Sequence, residues 1–456
     1  MSFVPSLKLA TFRALEWLSA LRQPNRNTQP GSVDTPSQPP APASLWLFVS
    51  TIGELNAIAP LLERLRRELG HPALTLITDR DTYEAAYRAR HPEAAIERLD
   101  GTVAAVASLK RRRPPLLLLV AEIPALLHDA PCRLSYATLQ AARSAGAPCV
   151  LLNGWLYGYA PPSRLDLLEQ RWFGGDYVRA FDLCIVQTDA VRQRLLERGA
   201  EARRVVVAGN VKFDAMPWPP QDHPPDSSLG ALGAALRRSA LHPLIVAGSV
   251  TETADQNDLL QAFRQVHDRH PGALLVLAPR HPENLPRMAA LRTMLEASGL
   301  PWTLRSTLPA TPAALAPGVL VLDTMGELRG CYAAATLAFV GTDHNVLEPL
   351  GFGKPVFVGG HWEPTYPSFP VYEQLRAVGA IHDVGTLDGL GPAWCAQLEA
   401  GREAPAAGRA RLDAAVRAQR GAVQRHLDAM RGCAALHRLW SGDGLTGSAD
   451  KSPTLA

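Results

Sequence analysis

The sequence has few cysteines, little net charge and no long apolar run, and each lack removes a class of protein. Its six cysteines (Cys132, Cys149, Cys184, Cys331, Cys395 and Cys433) are far apart, with no CxxC pair and no close His/Cys cluster. That spacing argues against a zinc site or a disulfide framework and leaves reduced thiols as the expectation. A formal net charge of +3 is too small to point to nucleic acid as a partner. No apolar stretch approaches the roughly 20 residues that a membrane-crossing helix needs. Charges interrupt the apolar residues at the N-terminus, which therefore does not read as a signal peptide.

What is present suits a globular protein of more than one domain. The chain has 456 residues, 47% hydrophobic and 20% charged, enough for two or three compact units with sizeable cores. Residues 1–22 mix Leu7, Leu9, Ala10, Phe12, Leu15, Trp17, Leu18 and Leu21 with Lys8, Arg13 and Arg22. This predicts an amphipathic helix that either lies on a membrane surface or packs on the protein. Residues 23–43 are rich in Pro, Ser, Gln, Asn and Thr; they read as a linker, because they cannot bury enough apolar surface to offset their ordering entropy. Residues 441–456 read as a disordered tail. The basic run Lys110-Arg111-Arg112-Arg113 either faces an anionic partner or is a solvated stretch before a strand.

Between these ends, short apolar runs alternate with longer periodic stretches. Runs at 45–49, 74–77, 116–120, 149–152, 183–186 and 205–207 suit buried parallel strands. The alternation pauses in a Pro/Asp/Ser-rich stretch after Trp218-Pro219-Pro220, then restarts at 244–247, 274–277, 319–322, 337–340 and 355–358. Strand–helix alternation implies an α/β protein with helices on both faces of parallel sheets. The expected division is two doubly wound domains, 44–215 and 216–440. Ligands in such sheets sit beyond the carboxyl ends of the strands, and polar motifs recur at those ends.

In the first half, Glu54 follows the turn Ser50-Thr51-Ile52-Gly53 and opens a helix, where a carboxylate also complements the helix dipole. Glu122 follows an apolar strand and is either a cap or a site residue. Lys212, within the run Gly209-Asn210-Val211-Lys212-Phe213-Asp214, either holds a phosphate or carboxylate or pairs with Asp214. In the second half the motifs are Gly248-Ser249, Pro279-Arg280-His281-Pro282-Glu283, Asp323-Thr324-Met325-Gly326-Glu327-Leu328 and His344-Asn345-Val346-Leu347-Glu348-Pro349. Small residues at Gly248, Ser249, Met325 and Gly326 suit backbone N–H contacts to phosphate. Arg280 offers a fork of donors, and Glu348 suits ribose hydroxyls. A nucleotide site accounts for all four together.

GNVKFD, PRHPE, DTMGEL and HNVLEP, in this order, resemble the transferases that add 3-deoxy-D-manno-octulosonic acid (Kdo) to the lipid A precursor. VSTIGE and VAEIP resemble two segments of that family's first domain, and the likeness spans roughly residues 45–370. The resemblance implies a GT-B fold, with 44–215 holding the acceptor and 216–440 the CMP-sugar donor across a cleft. It implies Glu54 as general base, with Glu122 and Lys212 flanking the reacting centre. Pro279, Arg280, Met325, Gly326, Glu327, Asn345, Val346, Leu347 and Glu348 would bind the CMP part. It further implies inversion at the anomeric carbon, no cofactor or bound metal, a glycolipid acceptor, and work at the cytoplasmic face of the inner membrane with peripheral membrane contact.

Departures from the family pattern fall mainly in the first domain. Trp-Pro-Asn is missing after Glu122-Ile123-Pro124, and Asn153-Gly154-Trp155-Leu156-Tyr157 stands where Asn-Ala-Arg-Leu-Ser is usual. A Pro-rich linker replaces the usual basic stretch, and the glycine-rich segment at 339–343 is abbreviated. These changes lead to the expectation of an acceptor that differs partly from the lipid A precursor. Two other readings stand beside the main one: a GT-B transferase or epimerase using a UDP-sugar, and a non-catalytic glycolipid-binding homologue. Glu54, Glu122 and Lys212 together argue against the latter.

Overall fold

The computed structural model describes residues 8, 10–14, 41–49, 51–78, 81–99, 101–122, 134–155, 164–220, 225, 229–400 and 406–441. The chain forms two compact units, Met1–Ala215 together with Gln419–Ala456, and Met216–Ala418. Among the described residues no helix is long and apolar enough to cross a membrane.

The first unit is built on a parallel seven-stranded sheet of order β3-β2-β1-β4-β5-β6-β7. Its strands are β1 (Ser44–Phe48), β2 (Ala73–Thr78), β3 (Ala95–Arg98), β4 (Pro115–Ala121), β5 (Cys149–Gly154), β6 (Leu183–Val186) and β7 (Val205–Val207). Alternate side chains of β1 enter different cores. Trp46 and Phe48 join Leu118, Val120 and Leu151 on one face, while Leu45 and Leu47 join Leu76, Leu119 and Val150 on the other. Burial on both faces is why these strands read as unbroken apolar runs, and each such side chain contributes about 1.5–3 kcal/mol. Helix α1 (Ile52–Glu68) starts at Thr51, whose hydroxyl accepts from Glu54 N at 3.2 Å. It buries Leu55, Ile58, Leu61, Leu62 and Leu65, a helical stripe.

Helices α2 (Tyr136–Ser144) and α3 (Arg164–Ala180) receive the described part of the N-terminal segment. Phe12 is 1% exposed, with its ring 5.6 Å from both Tyr136 and Phe173, and the Lys8 ammonium pairs with Asp176. Of the two readings of this segment, the described residues follow the second, packing on the protein. Helix α3 also carries the exposed Leu167, Leu168 and Trp172. The expected linker, apart from 41–43, and the expected tail beyond Ser441 lie outside the described residues. The basic run is engaged within the unit: Arg112 donates to both carboxylate oxygens of Glu97 at 3.1 and 3.0 Å, Arg113 to one at 3.1 Å, and Lys110 to Ser144 Oγ at 2.8 Å.

The second unit has its own parallel seven-stranded sheet, of order β10-β11-β9-β8-β12-β13-β14. The strands are β8 (Leu244–Val250), β9 (Leu274–Pro279), β10 (Trp302–Leu304), β11 (Gly318–Val321), β12 (Leu337–Val340), β13 (Val356–Val358) and β14 (His382–Asp383). Helices α4 (Gly230–Arg238) and α5 (Leu328–Ala334) cross where both carry glycine. A Cβ on Gly330 would lie 2.0 Å from the Leu229 carbonyl oxygen.

One expected boundary is corrected. The second unit stops at Ala418, and residues 419–440 return to the first. Helix α6 (Ala422–Arg431) buries Ala422, Val423, Leu427 and Met430 in the same core as Leu45, Leu47 and Ile58, followed by Leu436 and Leu439. The periodicity of this segment shows that it has an apolar face but carries no information about which core covers it.

Candidate active site

Sheet order places the first-half motifs side by side. Glu54 follows β1, Glu122 follows β4, Asn153 lies in β5, Gln187 follows β6 and Asn210 follows β7, and these are five neighbouring strands. All five residues lie toward the carboxyl ends, on both sides of the point where strand order reverses between β1 and β4, where doubly wound sheets hold ligands.

Glu122 and Lys212, two of the expected catalytic residues, meet. Lys212 Nζ lies 2.7 Å from Glu122 Oε1, with the lysine side chain 16% and the glutamate side chain 3% exposed. A buried carboxylate must be compensated, and Asn153 Nδ2 adds a second donor to the same oxygen at 3.0 Å. Glu122 has φ of 58°, a left-handed conformation uncommon for a residue with a side chain. Its backbone is fixed through its N–H to Leu152 O at 2.8 Å and through its carbonyl, which accepts from Trp155 N. Glu54, the third, is buried in the first turn of α1.

Residues that sequence reasoning left out surround this pair. Asn210 Oδ1 accepts from Asn153 Nδ2 at 3.3 Å and from Lys212 N at 3.0 Å. Asn210 Nδ2 donates to Gln187 Oε1 at 2.9 Å, and Gln187 Nε2 donates to the Asn153 carbonyl at 2.9 Å. Asn153, Gln187 and Asn210 thus form a closed ring. Their position at strand ends was the available signal; His426, which also reaches Asn153 (3.1 Å), gave none. Within GNVKFD, Asp214 does not pair with Lys212. Its carboxylate accepts from Gly421 N at 2.7 Å and Val423 N at 2.6 Å, capping the start of α6. Trp155 is 2% exposed and packs in the core, whereas Leu156 and Tyr157 lie outside the described residues.

In the second unit the four motifs sit at four adjacent strands, β11, β9, β8 and β12. Gly248 lies within β8, where a Cβ would meet Tyr332 Oη at 1.9 Å, so packing of a buried tyrosine requires glycine there. Ser249 has φ of 59°. Pro279 ends β9. Arg280 follows it, and its guanidinium has no hydrogen bond or ion pair among the described residues. Neighbouring His344 is pushed down to about 3, first by burial and then by the Arg280 cation. Glu327 is held by Arg305 Nε and Nη2, both at 3.0 Å, and by Thr324 Oγ1; its carboxylate therefore braces the loop that presents exposed Met325 and Gly326. Asn345 Oδ1 accepts from Leu347 N at 3.1 Å, and Val346 and Leu347 bury their side chains. Glu348 lies 3.7 Å from Arg329. Among the described residues no group of three or more His, Cys, Asp or Glu is arranged to hold a metal.

Comparison with known proteins decides the family. The family model described as 3-Deoxy-D-manno-octulosonic-acid transferase (kdotransferase) matches residues 21–215. The 3-deoxy-D-manno-octulosonic acid transferase of Bordetella pertussis is 30% identical over 344 residues, 71% of this chain and 73% of the relative. The chain belongs to this family. A relative of the same name from Haemophilus influenzae is 26% identical and aligns over 86% of this chain and 87% of its own length. As a Kdo transferase family member the protein is a glycosyltransferase, and the α/β GT-B fold is shown by solved structures. S. aureus MnaA with UDP matches at TM-score 0.54 and 14% identity, covering 87% of this chain and 98% of that one. UDP-GlcNAc 2-epimerase from Neisseria meningitidis bound to UDP-GlcNAc matches at TM-score 0.52 and 12% identity, covering 85% and 99%. At such identities the likeness concerns the fold alone.

Proposed function

We propose that this protein transfers Kdo, or a related ulosonic acid, from a CMP donor to a lipid A precursor or similar glycolipid, inverting the anomeric centre. The observation that carries this reading is the buried Glu122–Lys212 pair, 2.7 Å apart, with Glu122 beyond the strand next to the one that leads to Glu54. Glu54 takes the proton of the acceptor hydroxyl. Lys212 supplies positive charge as CMP leaves, and Glu122 holds that charge in place. On the donor side, Arg280 binds an anionic group of CMP-Kdo, the loop of Met325, Gly326 and Glu327 offers backbone N–H groups, and Glu348 accepts from the ribose. Gly248, Ser249, Pro279, Asn345, Val346 and Leu347 shape that pocket through backbone and packing. The protein works without a bound metal or cofactor, at the cytoplasmic face of the inner membrane. Leu167, Leu168 and Trp172, exposed on α3 beside exposed Arg171, suit peripheral contact with a glycolipid-bearing surface.

The test is incubation with CMP-Kdo and lipid A precursor, with products identified by mass spectrometry and UDP-GlcNAc offered as rival donor. Glycosylated lipid with CMP-Kdo alone supports the proposal; turnover of UDP-GlcNAc alone overturns it. Glu54→Gln keeps size and removes the base, so transfer is lost while CMP binding, measured by calorimetry, stays near wild type. Rates with other glycolipid acceptors test the acceptor. A rate with unmodified lipid A precursor no lower than with any other would refute a shifted acceptor preference.

A further inference from the structure

Asn153 is bonded at every polar group it has. Its Nδ2 donates to Glu122 Oε1 at 3.0 Å and to Asn210 Oδ1 at 3.3 Å, and its Oδ1 accepts from Val211 N, next to Lys212, at 3.0 Å. Its carbonyl accepts from Gln187 Nε2 at 2.9 Å, and its N–H donates to His426 Nε2 at 3.1 Å. The side chain therefore touches both segments that bear the catalytic pair. The backbone has φ of 50°, and the bonds from Gln187 and His426 hold it there.

His426 comes from α6, 273 positions away in sequence, and is 0% exposed. Its Nδ1 lies 2.7 Å from the Ala422 carbonyl oxygen, so the proton sits on Nδ1 and the Nε2 lone pair faces Asn153 N. Only this neutral form makes both bonds. Without His426, Asn153 N–H would be buried and unpaired, a costly state that the backbone escapes by leaving its left-handed conformation. That movement would swing the amide away from Glu122. Glu122 Oε1, which accepts from both Asn153 and Lys212, would then lose the first donor. Its charge would fall wholly on the lysine, and that lysine would be less available to the departing phosphate.

We infer that His426 and Asn153 are positioning residues for sugar transfer: His426 pins the Asn153 backbone, and Asn153 sets Glu122 relative to Lys212. This rests on the reading above that Glu122 and Lys212 flank the reacting centre. A misplacement of about 1 Å arising away from the chemistry can cost about 100-fold in rate, so the effect belongs in kcat rather than in donor binding.

The experiment measures kcat and KM for full-length variants with CMP-Kdo and lipid A precursor, at a temperature where melting curves show each variant folded. Asn153→Gly keeps the left-handed backbone accessible and removes only the amide. It is expected to lower kcat about 10- to 100-fold with KM for CMP-Kdo within about twofold. His426→Leu is expected to lower kcat similarly, and His426→Gln, whose amide oxygen can accept the same N–H, to restore most of it. Should His426→Leu not fold, Asn153→Asp, of equal size, serves in its place. It sets a second carboxylate beside Glu122 and is expected to move the acid limb of the kcat–pH profile upward. Wild-type kcat in Asn153→Gly, together with an unmoved pH profile in Asn153→Asp, overturns the inference. Lys212→Ala and Glu122→Gln are run alongside: if these too keep wild-type kcat, the assignment of the pair itself fails, whereas loss of turnover in these two alone refutes only the positioning role.

Discussion

Glu122 is 2% exposed, and its stability depends on the cation 2.7 Å away. Removing one partner of a buried pair leaves an uncompensated charge, whereas removing both does not. Lys212→Ala should therefore destabilise the protein by about 2–3 kcal/mol, toward the low end for buried pairs because Lys212 keeps some exposure. The double variant Lys212→Ala with Glu122→Gln should recover part of that loss, as a double-mutant cycle of urea unfolding would show. His426 sets a pH dependence of its own. Burial, with a smaller effect of Arg425, lowers it to about 4 from 6.5, so the unfolded chain binds its proton first as pH falls. The contribution is complete above about 6.5 and is lost as pH falls toward 4, on the order of 3 kcal/mol for this one group. Unfolding curves between pH 4 and 7 should flatten by about that amount in His426→Gln. Equal slopes in variant and wild type would show that the histidine is not held neutral.

At the scale of elements, Asp214 joins the end of one segment to the start of another. It is the one acidic residue of GNVKFD, and its carboxylate accepts from Gly421 N and Val423 N at the start of α6, at 2.7 and 2.6 Å. Asp214→Ala should cost about 1–2 kcal/mol, as loss of a helix cap does, and should raise amide exchange first in α6. Most strands that sequence reading found have both faces buried, such as β1 and β4, and the short edge strand β7 was found because Val205–Val207 is itself an unbroken apolar run, which needs no partner to be recognised. Those it missed are short and partly exposed: β3 contains Glu97 and Arg98, β10 has Thr303 between Trp302 and Leu304, and β14 is only His382–Asp383. Glu54, Glu122 and Lys212 were legible because each stands just past such a run. Asn153 was legible only by its place at a strand end and His426 not at all, since a hydrogen bond between residues 273 positions apart leaves no trace in local pattern. Glu327 was legible as a motif residue but not as the partner of Arg305, for the same reason.

For the whole molecule, the return of the chain sets where it can be cut. Residues 216–418 contain every element of the second unit; expressed alone, they should melt cooperatively and bind CMP. A chain ending at residue 418 should instead fail to fold its first unit, because Val423, Leu427, Met430, Leu436 and Leu439 are missing from the core. Calorimetry and circular dichroism of the two fragments test both outcomes. The same return governs the order of events during synthesis. A ribosome delivers the polypeptide from its N-terminus, so the second unit emerges entire while the first still waits for its last helix. Glu122 and Lys212 are made early, but the histidine that fixes Asn153 follows that asparagine by 273 positions. A product released between residues 212 and 419 therefore carries the pair without its support, and the active arrangement forms only once the chain has returned to the first unit.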